Sequence, residues 1–119
     1  MGLKILIVDD SVFMRTIIKN ALQGFDIAEI SEAGTADEGV AKYSEKKPDI
    51  VFMDIVMPGK NGIDALKEIM SKNKDAKVVM CTSVGQEKII EDAVNSGAYD
   101  FITKPFKEDE IKNVISKLQ

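Results

Sequence analysis

Four short stretches of this chain carry side chains that could act together. Asp9-Asp10, Asp54, Thr82-Ser83 and Lys104-Pro105 each stand just after an apolar run: Leu3–Val8, Ile50–Met53, Val78–Cys81 and Phe101–Ile102 in turn. If those runs are neighbouring strands, three carboxylates, a hydroxyl and an ammonium converge on one crevice. Crowded carboxylates repel, each pair at about 4 Å costing on the order of 4 kcal/mol at an effective dielectric near 20. Such a cluster is tolerable if it shares a proton, sits against cations or holds a metal. All-oxygen ligation selects a hard cation, and Mg²⁺ with several retained waters suits a shallow open site.

Taken singly, each residue has a plainer use. Asp10 could cap the following helix, Asp9 and Asp54 could be solvated strand ends, and Lys104 could be a surface lysine. Those separate uses do not explain why all of them stand at the ends of apolar runs.

The elements that would hold these residues alternate. Continuous apolarity is what a strand buried on both faces looks like. A weaker run with interspersed charge covers Ile27–Ala33. Between the runs lie helical stripes. Val12, Phe13, Ile17, Ala21 and Leu22 share one face of a helix ending near Gly24. Thr35-Ala36-Asp37-Glu38 has capping-box spacing and opens a second helix towards Lys46, stopped before Pro48. Ile63, Leu66, Ile69 and Met70 stripe a third, and Ile89, Ile90, Ala93 and Val94 a fourth, with Gly97 placed to end it. Ile111, Val114, Ile115 and Leu118 stripe the last.

Strand followed by helix, five times over, predicts an α/β fold: a doubly wound five-stranded parallel sheet with five helices, joined by right-handed crossovers. The flavodoxin-like strand order 2-1-3-4-5 is expected. It places a ligand at the carboxyl ends of the central strands, where the chemistry-bearing residues stand.

Composition narrows the rest. The 119 residues fit one domain, 1–119, and 45% hydrophobic with 30% charged residues is an ordinary globular balance. A net charge of −4 and a single arginine, Arg15, argue against nucleic-acid binding. The lone cysteine, Cys81, lies in an apolar run and is expected to be a small core residue. There is no histidine to serve as base or metal ligand. The start turns acidic too soon for a signal peptide, Leu6 spoils a myristoylation signal, and no run is long enough to span a membrane, so a cytoplasmic protein is expected.

Asp9-Asp10-Ser11, the segment from Met53-Asp54-Ile55-Val56 through Met57-Pro58-Gly59-Lys60-Asn61-Gly62, Thr82-Ser83, and Lys104-Pro105-Phe106 resemble the signature positions of response-regulator receiver domains. The resemblance runs from Lys4 to Leu118. It implies that Asp54 takes a phosphoryl group from a phosphohistidine on a sensor kinase. It implies that Asp10 and Asp54 bind Mg²⁺ through their side chains, that the Val56 carbonyl adds an oxygen, and that Asp9 orients the metal shell through water. Lys104 would neutralise the acyl phosphate and Thr82 would hydrogen-bond it. The Lys104–Pro105 bond is expected to be cis. Phe101 occupies the aromatic switch position, where many chemotaxis regulators carry tyrosine. The output surface would include Glu87, Lys88, Glu91, Asp92, Phe101, Lys107, Glu108 and Lys112.

The physical logic agrees. Phosphoryl transfer spreads charge over equatorial oxygens, so catalysis is positioning plus charge neutralisation. A carboxylate is a competent nucleophile once its negative surroundings are offset.

Phe13-Met14-Arg15 and Cys81-Thr82-Ser83-Val84-Gly85-Gln86 resemble chemotaxis regulators, with a phosphorelay intermediate as the alternative. No output domain is expected after the last helix. The chain would therefore be a signalling protein rather than an enzyme, and a monomer. Its donor would be a CheA-like sensor histidine kinase, and its target a flagellar switch or archaellum adaptor protein. Val56 and Val84 flank the site with apolar, β-branched side chains, so slow loss of phosphate and a separate phosphatase are expected. A flavodoxin-like FMN-binding protein would want a Ser/Thr/Gly-rich phosphate loop where Asp9-Asp10 stands. A phosphatase of the haloacid dehalogenase type would want a second Asp where Ser11 stands. A non-phosphorylatable receiver would lack residues that are all present.

Overall fold

A computed structural model describes residues 2–83 and 87–118, the Glu87 side chain excepted. Ten elements alternate: β1 Leu3–Val8, α1 Val12–Ala21, β2 Ile27–Ala33, α2 Ala36–Lys46, β3 Ile50–Asp54, α3 Gly62–Lys72, β4 Val78–Ser83, α4 Glu87–Asn95, β5 Asp100–Lys104 and α5 Glu108–Ser116. The strands form one parallel sheet in the order β2-β1-β3-β4-β5, as the alternation predicts.

The continuous apolar strands are explained by two helical layers. Leu6, Val8, Val51, Met53, Val78 and Met80 pack beneath α2, α3 and Ala93 of α4. Their alternates Ile5, Ile7, Ile50, Phe52, Val79, Cys81 and Ile102 pack beneath α1 and α5. Successive side chains point to opposite faces, so a strand covered on both must be apolar throughout. Edge strand β2 is covered less and keeps charge at Glu29 and Glu32.

Helix ends follow local chemistry. Ser11 caps α1, its hydroxyl accepting from the Met14 N–H at 3.2 Å. The cap is therefore Ser11 and not Asp10, which leaves the Asp10 carboxylate for other use. Thr35 caps α2, while Glu38 reaches back to the Gly34 N–H at 3.0 Å. Asn61 caps α3. Gly97, at φ +103°, follows α4 in a conformation that a side chain would resist.

Two expectations need correction. Val12 and Phe13 do not join the inner stripe of α1: they are 65% and 72% exposed, and Ile18, Ala21 and Leu22 are buried instead. The inward face repeats from position 18 to 21 and 22, and the first turn of α1 leaves its apolar side chains in solvent. Val94 likewise faces outward while Ala93 is buried.

Cys81 is buried at 1% exposure, and burial pushes its thiol far above the usual range. The native thiol should resist iodoacetamide at neutral pH and react fully once denatured. Rapid native alkylation, followed by intact mass, would contradict this packing.

Candidate functional site

Strand order decides where the site forms. From β1 the chain runs outward to β2, then returns across β1 to lay down β3 on its other side. The carboxyl ends of β1 and β3 are therefore adjacent at the point of reversal, where a crevice opens. Asp9 follows β1 and Asp54 ends β3.

One carboxylate oxygen from each of Asp9, Asp10 and Asp54 lies within 4.8 Å of the others. Asp9 and Asp54 are buried, at 1% and 4% exposure, while Asp10 is exposed. The Lys104 ammonium, brought by the end of β5, lies 3.1 Å from Asp9 Oδ2 and 3.1 Å from Asp54 Oδ1. The Lys104–Pro105 bond is cis. All four charged residues singled out in the sequence thus meet in one place.

Burial and neighbouring charge shift two of these groups, Asp54 and Lys104. Burial pushes the Asp54 carboxyl above its ordinary value, and the Asp9 carboxylate adds to this; Lys104 opposes without cancelling it. Burial alone would lower Lys104, but pairing with Asp54 and Asp9 prevails and its pKa is raised. One ammonium serves two buried carboxylates, so negative charge is left in excess.

Asp9 is held on several sides. Its Oδ1 accepts from the Ser11 N–H at 2.9 Å, its N–H donates to the Ala33 carbonyl at 3.0 Å, and its carbonyl accepts from Arg15 Nη1 at 2.5 Å. Its buried Oδ2 has no hydrogen-bond partner among the described residues and is faced by the Lys104 ammonium at 3.1 Å. A buried carboxylate oxygen that shares its one ammonium with a second carboxylate, beside a third, fits a small hard divalent cation, for which oxygen is the preferred donor.

Thr82 is buried on β4, one residue beyond the Asp54–Cys81 register pair, and its hydroxyl donates to the Ser83 carbonyl at 3.2 Å. Phe101 pairs with Met80 in register and stands 43% exposed, an outward position. The Val56 side chain is exposed in the loop after β3. Val84, Gly85, Gln86 and the Glu87 side chain lie outside the described residues, so the apolar flank at Val84 and the chemotaxis-like stretch from Cys81 to Gln86 extend beyond them. Of the expected output surface, Lys88, Glu91, Asp92, Lys107 and Glu108 are exposed.

The sequence did not reveal how Arg15, Glu32 and Ser11 hold Asp9. The available signal was the single arginine placed six residues after Asp9.

The response regulator receiver domain model matches residues 5–116, from within β1 to the end of α5. The chemotaxis protein CheY of Listeria monocytogenes is 49% identical over 115 residues, covering 97% of this chain and 97% of its own. That of Thermotoga maritima is 45% identical over 120 residues, covering 99% of this chain and 98% of its own. A chain from the CheX-CheY-BeF3-Mg+2 complex of Borrelia burgdorferi superposes with a TM-score of 0.87 at 34% identity, over 98% of this chain and 88% of that one. With a match across nearly all its elements and relatives aligned almost end to end, the chain belongs to the response regulator receiver domain family.

Proposed function

We propose that Asp54 accepts a phosphoryl group from a phosphohistidine of a CheA-like sensor histidine kinase, and that the chain then signals in chemotaxis by binding a target protein. The observation that carries this is the buried Asp54 carboxylate, grouped with Asp9 and Asp10 and 3.1 Å from the Lys104 ammonium. An Asp54 oxygen attacks phosphorus, the phosphorus–nitrogen bond breaks, and the imidazole leaves with the bonding pair. Lys104 neutralises phosphoryl oxygens, and Thr82 donates its hydroxyl to them once the acyl phosphate has formed. Phe101 turns inward from its exposed position as that bond is made.

Asp10 and Asp54 side chains, with the Val56 carbonyl, would hold Mg²⁺, and Asp9 would orient its shell. When bound, the cation supplies the positive charge that three carboxylates and a dianionic phosphoryl group require. Mg²⁺ in the Borrelia burgdorferi complex supports this choice, and CheX in the same complex supports a protein partner of this kind. The output partner is a flagellar switch or archaellum adaptor protein, and a separate phosphatase ends the signal. In this reading the chain acts as a cytoplasmic monomer. No helix among the described residues is long and apolar enough to cross a membrane.

Acetyl phosphate with Mg²⁺ should add one phosphoryl group to the intact mass, and chelation of the cation should prevent it. An unchanged mass at saturating donor and cation would overturn the assignment. Because Mg²⁺ relieves carboxylate repulsion only in the folded state, it should raise the wild-type melting temperature by mass action, and raise that of Asp10→Ala much less. Equal shifts in both would remove Asp10 from the cation site.

A further inference from the structure

Arg15 lies partly buried behind the acidic site and reaches it through a backbone carbonyl. Its side chain is 15% exposed, its Nη1 donates to the Asp9 backbone carbonyl at 2.5 Å, and its Nε donates to Glu32 Oε1 at 2.9 Å. The other Glu32 oxygen pairs with Lys19 at 3.0 Å, and Lys42 Nζ donates to the Glu32 backbone carbonyl. Lys19 and Arg15 hold the Glu32 carboxyl below its usual value against the opposing effect of burial. The guanidinium is thus tethered to a carboxylate on β2 that it shares with Lys19. Arg15 meets the acidic site through the Asp9 backbone carbonyl, so what it offers there is geometry.

The atom it holds matters. The Asp9 carbonyl and the Asp10 N–H share one peptide plane, and the Asp10 carboxylate projects from the next Cα. Asp9 Oδ1 already accepts from the Ser11 N–H, folding the chain into a side-chain-closed turn. With the carbonyl tied to Arg15 on one side and the carboxylate tied to Ser11 on the other, the 9–10 peptide cannot rotate.

We propose that Arg15 is a positioning residue for the cation site. It braces the Asp9–Asp10 peptide against Glu32 of the edge strand, so that both carboxylates are presented to a divalent cation before it binds. A planar guanidinium can bond the carbonyl and Glu32 at once, whereas a lysine ammonium lacks that fork. The proposal rests on the reading of Asp9, Asp10 and Asp54 as the cation ligands.

Calorimetric titration with Mg²⁺ alone tests it. Groups that orient metal ligands from behind are worth about 10–100-fold in affinity, so Arg15→Met should weaken Mg²⁺ binding by roughly tenfold or more. Glu32→Gln and Arg15→Lys should each weaken it less. At saturating Mg²⁺ the rate of labelling by acetyl phosphate should return to near the wild-type value, since Arg15 touches no reacting atom. A purely structural role would lower the cation-free melting temperature and leave Mg²⁺ affinity unchanged. If wild type binds Mg²⁺ and Arg15→Met binds it equally, the proposal is overturned. If Arg15→Met does not fold, unchanged affinity in both Glu32→Gln and Arg15→Lys overturns it. A wild type that binds no Mg²⁺ defeats the underlying reading of the cation site instead.

Discussion

Asp54→Asn is expected to abolish phosphoryl uptake from acetyl phosphate while leaving the cation-free fold at least as stable as wild type. The loss follows from chemistry, because an amide oxygen is a poor nucleophile and the amide carries no charge for Lys104 to present. The stability follows from the Asp54 pKa, which burial and the Asp9 carboxylate raise above the unfolded value of 3.8. A raised carboxyl pKa means that the folded state binds its proton more tightly than the unfolded chain does. Stability linked to Asp54 is therefore greatest at acid pH and falls as pH rises from the unfolded value through the folded one. At neutral pH, without cation, the ionised carboxylate is a net liability, and asparagine removes it at almost the same volume. Lys104 loses one partner but keeps Asp9 at 3.1 Å. The Mg²⁺-induced rise in melting temperature should also shrink. Intact-mass spectra showing equal labelling of the variant would sink the acceptor assignment. A much lower cation-free melting temperature would show that the Asp54–Lys104 pair outweighs burial and repulsion.

Gly62→Ala is expected to be among the most damaging single-methyl additions to this protein. Gly62 opens α3, is buried, and donates its N–H to the Ile55 carbonyl at 2.8 Å. A Cβ there would stand 2.0 Å from the Asp54 carbonyl oxygen, 2.8 Å from the Asp54 carbonyl carbon and 2.9 Å from Ile55 Cα. All three are backbone atoms, so no side chain can swing away to relieve the overlap. Strand β3 or the start of α3 must move instead. Overpacking usually costs 1–3 kcal/mol, and a backbone clash belongs at the top of that range or beyond, about 3 kcal/mol or more. In a domain of this size that lowers the melting temperature by roughly 10 °C. Because the displaced carbonyl belongs to Asp54 itself, labelling by acetyl phosphate should slow even well below the melting temperature. Calorimetry and a labelling time course together check this. A wild-type melting temperature would mean that the loop from Ile55 to Asn61 closes on β3 less tightly than the structure has it.

Much of the fold was legible because its determinants are local. The apolar runs at Leu3–Val8 and Ile27–Ala33 became β1 and β2 with the same limits, and the Thr35–Glu38 spacing produced the α2 cap. Such patterns are set by neighbours a few residues away, through side-chain period and capping chemistry. Helix faces were less legible. In α1 an apolar pair, Val12 and Phe13, is exposed, and periodicity carries no information about where a neighbouring layer stops.

The candidate site divides along the same line. Residue types at strand ends, with the known behaviour of parallel sheets at their points of reversal, sufficed to bring Asp9, Asp10, Asp54 and Lys104 together in expectation. The sequence could not say which of two adjacent aspartates is buried, whether Asp10 or Ser11 caps α1, or whether Phe101 faces inward. Adjacent residues share composition and propensity, and only the direction of each side chain against the packed layers separates them. Asp9 came to be buried beside Lys104, which stands 95 residues further along the chain by the difference of their numbers, 104 and 9. Asp10 was left exposed at the rim, and the Arg15–Glu32 brace formed behind both. Contacts so distant in sequence exist only after the sheet has assembled, because Lys104 reaches Asp9 through the pairing of β1, β3, β4 and β5, and Glu32 reaches Arg15 through the pairing of β1 with β2.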